Sequence, residues 1–528
     1  MNEHQKKIAG MTAAQMGLDE YQRISVLTSH VKRLVEIVTL LPGTLDRLRN
    51  DPEGLIKEWN LNLDASEMQF MILPENEGKR AEMFSKENFL DEIPESFFRY
   101  RQFLTNKIYV RDNLIEKGNV PDNERVKKWR ERQIGRCTGA LGGVNESFVH
   151  ALVTYELAEG CSVGCEFCGL GAGRLKSLFR YTEENEKLFG DVLKAAHEVL
   201  GDAAGGGMMY FATEALDNPD YERFEQAFLK EFNVIPQITT AVADRDIERT
   251  RYFVHELYKG HGFIHRFSLR SLEMAETILK SFSPEELLMV ELLPQYEEAP
   301  AFVPYTVVGK QAENVIREIN EKSQSSDKTG EYTCDDVSQK LNLDEYGLND
   351  EGIPIVSMDS LKDQISDPGT ICCIDGFRIN FARKEITVFT PCHMSEEHPK
   401  GIAEAATVTF SDGNDFKEKL LWLIDTYMVV DLPDDEPLRI YDYFRLAYDE
   451  KLGTVLVSLN GGETLLLDKL PKPYAIPLIK LLLKGNYTKH ELVRIIMQRE
   501  EVEPEKIFYL LSQLWKKGFI VDSKFFSK

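Results

Sequence analysis

Cys161, Cys165 and Cys168 fall within one run, C-S-V-G-C-E-F-C, directly after the apolar, β-branched stretch V-H-A-L-V-T-Y-E-L. That stretch reads as a strand, so the three thiols sit on the loop that leaves its carboxyl end. Thiolates at CxxxCxxC spacing can hold three corners of a 4Fe–4S cube and leave the fourth iron without a protein ligand. An open iron is a place for chemistry, whereas a fully ligated cluster mostly moves electrons. A zinc knot needs a fourth ligand at a recognisable spacing, and none lies near. The aromatic Phe167 precedes the last cysteine, and a small, flexible run, Gly169–Gly173, follows it.

Composition narrows the setting. A formal net charge of −24 opposes broad binding to nucleic acid or to anionic membranes. No apolar run is long enough to span a bilayer, and the N-terminal text has no apolar h-region. Eight cysteines, three of them in one loop, do not form a disulfide framework. A reducing cytoplasm suits both the thiols and an air-sensitive cluster.

Residues 1–147 read as a helical N-terminal domain without chemistry. Ile24 to Leu41 spaces apolar residues at three and four, and Pro42-Gly43 stops that helix. From Phe148 onward strands alternate with helices, which implies parallel βα units with ligands beyond the carboxyl ends of the strands. The expected strands after the loop are M-M-Y-F-A-T, V-I-P-Q-I-T-T, F-I-H-R-F-S-L-R and L-M-V-E-L-L, closing a region 148–330. Glu321–Gly330 is polar and reads as an exposed loop. Residues 331–436 carry a hairpin around Ala382-Arg383-Lys384, and 437–528 has three strands, three helices and a short final strand, G-F-I-V. Thr488 and Glu491 form a T-x-x-E capping box.

The cluster loop resembles that of the radical S-adenosylmethionine (radical SAM) superfamily, which reads CxxxCx-aromatic-C. The resemblance implies an α/β fold with a partial (β/α) barrel, and SAM chelated to the open iron through its amino and carboxylate groups. It also implies a GGEP-type segment for the SAM ammonium. Here F-A-T-E places Ala212-Thr213 where the glycines stand and keeps the acid as Glu214. Ser268 and Arg270, two residues apart on a strand face, fall where the family contacts the ribose and carboxylate of SAM. Thr240 is a weaker candidate of the same kind.

Neighbouring strand residues point to opposite faces, so Cys373 shares its face with Asp375 and Cys372 shares one with Ile374. A polar interior at the top of a barrel favours Cys373 as the inward thiol. The texts F-A-T-E-A-L-D-N-P-D-Y-E, V-E-L-L-P-Q, C-I-D-G-F-R-I-N and T-P-C-H resemble the radical SAM peptide epimerases that mature proteusin-type ribosomal peptides. That resemblance implies an L-to-D conversion, by Cα hydrogen abstraction and return of a hydrogen from a cysteine thiol. By position the donor is Cys373, with Cys372 and then Cys392 as alternates.

Residues 437–528 look like the winged-helix element that binds precursor leader peptides, which would take an extended leader by strand addition. A DNA-binding winged helix is the competing reading, but Glu491 and Glu500 dilute the basic residues of the helix around Lys489–Arg499. The implied partners are a ribosomal precursor peptide and a reductant such as flavodoxin or ferredoxin, with no nucleic acid and no membrane. The other enzymatic reading is a peptide cyclase forming a thioether or carbon–carbon crosslink. A non-catalytic iron–sulfur peptide-binding scaffold is the third.

Overall fold

Apolar residues spaced at three and four dominate the N-terminal text, whereas β-branched runs dominate from residue 148, and the architecture follows that change. The computed structural model describes residues 18–87, 89–257, 264–302, 306–323, 333–334, 343, 346–358, 369–460, 465–470 and 472–526. In chain order the strands are β1 (Ala151–Glu156), β2 (Ala158–Glu159), β3 (Ser177–Leu178), β4 (Thr239–Thr240), β5 (His265–Leu269), β6 (Val290–Pro294), β7 (Ile374–Asn380), β8 (Glu385–Pro391), β9 (Ile402–Thr409), β10 (Phe444–Asp449), β11 (Gly453–Ser458) and β12 (Leu465–Leu466). With the helices they make a mixed α/β protein of several sheets, and the described residues form no closed barrel. The chain divides into two compact units: residues 1–116, 208–210 and 214–305, and residues 117–207, 211–213 and 306–528.

In the first unit β4, β5 and β6 pair in parallel, in that order. The long helix Leu18–Leu40 buries Val31, Leu34 and Ile37 in one core with Phe267, Leu269, Ile278 and Val290. Two buried cations on that helix cap loose backbone ends. Lys32 donates to the carbonyls of Leu287 (2.9 Å) and Val290 (2.8 Å), and Arg33 donates to those of Leu279 (2.8 Å) and Phe282 (3.0 Å). Lys32 also pairs with Glu36, so its charge is matched inside the core.

The expected strands M-M-Y-F-A-T and V-I-P-Q-I-T-T are much shorter than their text suggests. The first contributes a single parallel bridge, Met208 to Gln237, and the second only β4. Pro236 lacks an N–H for a ladder, and the Ala212 N–H is spent on the side chain of Glu156 instead of a neighbouring carbonyl.

In the second unit β1 pairs in parallel with β7, and β7, β8 and β9 continue antiparallel. The turn between β7 and β8 holds Ala382, Arg383 and Lys384, with Lys384 at positive φ. Helices Glu183–Leu200 and Gly413–Tyr427 cover this sheet through an aromatic chain, Phe189–Phe381–Phe410–Phe416. Helix Glu124–Leu141 is tied to the sheet by polar contacts, with Arg130 donating to the His150 carbonyl at 2.9 Å. The expected loop Glu321–Gly330 begins inside the helix Lys310–Ser323, and its residues beyond 323 lie outside the described residues.

The C-terminal text folds as the antiparallel sheet β10–β11–β12 and helices Lys472–Lys484, Lys489–Arg499 and Pro504–Lys516 around one apolar core. Thr488 and Glu491 close the capping box in both directions. The last expected strand reduces to one bridge, Ile440 to Ile520. The outer edge of β10 is met by the chain's own segment, where Ile355 bridges Tyr448 and the Val356 N–H donates to the Tyr448 carbonyl at 2.9 Å. Among the described residues no strand pairs with the outer edge of β12. No helix of the described residues is long and apolar enough to cross a membrane.

Arg132, on helix Glu124–Leu141, lies over the Trp515 ring, 3.4 Å from its centroid, and pairs with the buried Asp522 at 2.7 Å. Removing one member of a buried pair strands the other. Asp522→Ala is therefore expected to lower stability by about 3–5 kcal/mol in chemical denaturation; an unchanged midpoint contradicts this account of the pair.

Candidate functional site

The cysteine loop is pinned by its own backbone. The Cys161 N–H donates to the Gly173 carbonyl (2.9 Å), and the Leu175 N–H donates to the Cys161 carbonyl (3.1 Å). The Lys310 N–H donates to the Cys168 carbonyl (3.1 Å), which ties the loop to the start of helix Lys310–Ser323. Close approach demands glycine at two places. A Cβ on Gly160 (φ +83°) would lie 2.2 Å from the Arg174 carbonyl oxygen, and one on Gly309 (φ +57°) 2.2 Å from that of Gly169.

Two amides already address sulfur. The Val163 N–H lies 3.4 Å from Cys161 Sγ, and the Ala172 N–H lies 3.4 Å from Cys168 Sγ. Such donors stabilise thiolate charge and tune a cluster bound to it. Cys161, Cys165, Cys168 and Phe167 are all partly exposed, and no disulfide joins any of the eight cysteines. This donor set suits an iron–sulfur cluster: three thiols that a ligand can reach, on a loop held by backbone, with N–H groups turned to sulfur.

Glu214, in the first unit, is buried and accepts three hydrogen bonds. Oε1 takes the Leu216 N–H (3.1 Å), Oε2 takes the Ala241 N–H (3.0 Å), and the Thr240 hydroxyl supplies the third. Burial pushes its pKa up, while these donors pull the other way without cancelling it. A carboxylate has about four acceptor positions, so one is left for a ligand donor. Arg270 is anchored close by: its Nε donates to the Ala241 carbonyl at 2.5 Å, and its Nη2 lies 3.8 Å from Asp244. Ser268 is on β5, half-buried, in register with Leu293 of β6. The structure therefore brings Glu214, Thr240 and Arg270 together around residue 241, and holds the cysteine loop in the other unit.

Cys372 and Cys373 immediately precede β7. Ile371 lies against the cysteine loop, since a Cβ on Gly169 would fall 2.9 Å from Ile371 Cδ1. Cys372 is fully buried, its S–H turned to the Ile374 carbonyl at 3.6 Å, and burial raises its pKa well above the ordinary thiol value. Cys373 is partly exposed and packs against Cys137, Ala140, Leu141 and Phe148. Cys392 is buried, and burial pushes its thiol up to about 12.

Asp375 does not mark an open polar interior. It is wholly buried, pairs with His150 Nδ1 and accepts from the Thr390 hydroxyl, beside helix Glu124–Leu141. Burial pushes its carboxyl up, but His150 and Arg136 outweigh that and hold it below the ordinary range. A second buried acid of the sheet is Glu156, which sequence analysis does not single out. Glu156 takes the Ala212 N–H (2.9 Å), Arg378 Nε (2.7 Å) and Asn380 Nδ2 (2.9 Å). It thereby holds Ala212 to the strand that feeds the cysteine loop. An acid in an otherwise apolar strand, V-T-Y-E-L, was the available signal.

Ligand atoms of Cys137, His150 and Asp375 lie within 4.8 Å of one another, close enough for a metal. These groups already satisfy each other. His150 Nε2 meets Asn145 Oδ1 at 2.9 Å while Nδ1 meets Asp375, and the Arg136 guanidinium donates to Cys137 Sγ at 3.1 Å. An adjacent buried guanidinium opposes a cation, so this is a hydrogen-bonded ion-pair network.

A curated protein of Sinorhizobium fredii (strain NBRC 101917 / NGR234), described as "Uncharacterized protein y4wI", is 30% identical over 423 residues, which is 79% of this chain and 73% of that protein. No family model matches the chain, and no solved structure matches it.

Because burial raises the Glu214 pKa, the folded chain holds that proton more tightly than the unfolded chain. Its contribution to stability is full below the unfolded glutamate pKa and is lost as pH rises through the raised value. Glu214→Gln is expected to flatten the decline of the thermal midpoint across that window. A decline of the same steepness in the variant assigns it to another group.

Proposed function

We propose that this chain, which belongs to the same family as y4wI, is a radical SAM epimerase that converts L- to D-residues in a ribosomally made precursor peptide. The observation that carries the proposal is the three-cysteine loop, with backbone amides aimed at two of its sulfurs. A 4Fe–4S cluster held by Cys161, Cys165 and Cys168 supplies, with SAM, reductive cleavage of a sulfonium and hence abstraction of a Cα hydrogen.

The chain's own residues do the rest. Glu214 offers its remaining acceptor to the SAM ammonium, a cation that offsets the cost of burying this carboxylate. Thr240 and the Ala241 amide fix its orientation. Arg270 has a two-pronged donor for a carboxylate, Ser268 a hydroxyl for the ribose, and Phe167 an apolar face beside the cluster.

A thiol of the Cys372–Cys373 pair returns the hydrogen. Its S–H bond breaks, a Cα–H bond forms on the opposite face, and one electron and one proton from a flavodoxin- or ferredoxin-type reductant restore the thiol. Exposure favours Cys373, which is partly open where Cys372 is buried. The face Cys373 shares with Asp375 is covered by helix Glu124–Leu141, which keeps Cys372 in contention.

The C-terminal unit reads as a leader-peptide binder. With the edge of β10 met by residues 354–356, strand addition falls to β12. A reducing cytoplasm suits the cluster and the thiols.

Co-expression with a precursor peptide in heavy water tests the proposal. One deuteron per inverted centre is expected. Loss of two hydrogens instead makes the enzyme a cyclase, and absence of SAM cleavage makes it a scaffold. Cys373→Ala and Cys372→Ala, compared singly, are each expected to keep 5′-deoxyadenosine production, with D-residue formation abolished in the variant that lacks the donor. Normal epimerisation by both variants removes the pair from the mechanism.

A further inference from the structure

Arg136 is fully buried on helix Glu124–Leu141, and every hydrogen bond it makes goes to a neutral group. Nε donates to Gln133 Oε1 at 2.6 Å; Nη2 donates to Thr390 Oγ1 at 2.8 Å, to Cys137 Sγ at 3.1 Å and to the Pro391 carbonyl. Nη1 has no partner. Asp375 is reached only through Thr390, and it is already matched by His150. A buried guanidinium without an anion in direct contact is left without its best partner.

Arg136 is also one of the residues lining a cavity of about 100 Å³ in the second unit, bounded by the loop after β8 and by the residues around β10. Other lining side chains carry buried polar atoms without a partner, among them Tyr443 Oη, Asn460 Oδ1 and His398 Nε2. Asn460 is itself buried, and its amide nitrogen is spent on the Ala140 carbonyl at 3.0 Å, so its oxygen is left over. Phe526 provides an apolar wall, with Arg136 over its ring and His398 and Tyr441 edge-on to it. Glu397 and Asp442 also line the cavity but are exposed, where water screens them, whereas Arg136 is shielded.

We propose that this cavity binds a compact carboxylate, paired to Arg136 Nη1 and the Tyr443 hydroxyl, with Asn460 Oδ1 accepting from a donor on the same ligand. The volume admits a few waters or one small acid. A guanidinium and a hydroxyl together select an oxyanion, and a carboxylate fits Arg geometry well. No residue of the cysteine loop lines the cavity, although Cys392, the last of the candidate hydrogen donors, does.

Thermal melting of the full chain in sodium acetate, against sodium chloride at matched ionic strength, reads the site. Acetate is expected to raise the midpoint saturably, and chloride is not. Tyr443→Phe keeps the aromatic stack and is expected to weaken acetate about tenfold, the effect of one lost hydrogen bond to a charged group. Arg136→Gln is expected to abolish the effect, and Tyr443→Phe carries the test should that variant fail to fold. A capped tripeptide whose sole carboxylate is a glutamate side chain forms a second arm. Saturation by acetate alone assigns a free acid, and saturation by the tripeptide as well assigns an acidic side chain of a bound peptide. Indistinguishable acetate and chloride curves, or an acetate effect unchanged in Tyr443→Phe, overturn the proposal.

Discussion

Everything catalytic that we assign to this chain rests on how a short loop holds three sulfurs. Thiolates repel one another, so a loop that gathers them needs fixed donors and a backbone that cannot splay. Here the Gly173 and Cys161 carbonyls close the loop against residues 161 and 175, and the Lys310 amide fastens its far end. The Val163 and Ala172 amides then face sulfur from within the loop. A glycine at 160 is required because the Arg174 carbonyl occupies the space a side chain would need.

The second unit also holds several buried charges. Glu156 ties the Ala212 segment to β1 and to two side chains of β7, so one carboxylate fixes three parts of the second unit. His150, Asp375, Thr390 and Arg136 form a second network where helix Glu124–Leu141 meets the sheet. Ser458 and Asn460 donate to the Gly139 and Ala140 carbonyls, which joins the C-terminal strands to the end of the same helix. That helix is the common support of Cys373, which precedes β7, and of the C-terminal sheet.

Local signals were the legible ones. The hairpin turn, the capping box at Thr488 and the bounds of helix Lys489–Arg499 depend on neighbouring residues, and the text shows them. Tertiary choices were not legible. The 208–213 segment has the composition of a strand, yet one of its amides is spent on Glu156, which no local pattern announces. Period two groups Cys373 with Asp375; Cys373 packs on helix Glu124–Leu141, and Asp375 reaches Arg136 of that helix through Thr390. It does not say which face of the sheet a helix covers, so Asp375 could not serve as a marker of an open interior. Arg136 gave no signal either, since an arginine in a helix reads as solvated until its surroundings are known.

The most direct measurement of the central claim is electron paramagnetic resonance of anaerobically reconstituted, reduced protein, recorded with and without SAM. The account predicts a reduced 4Fe–4S signal that changes when SAM is added, because one iron lacks a protein ligand, and that vanishes in the Cys161, Cys165 and Cys168 variants. A signal indifferent to SAM, or one that persists without those three thiols, would contradict it.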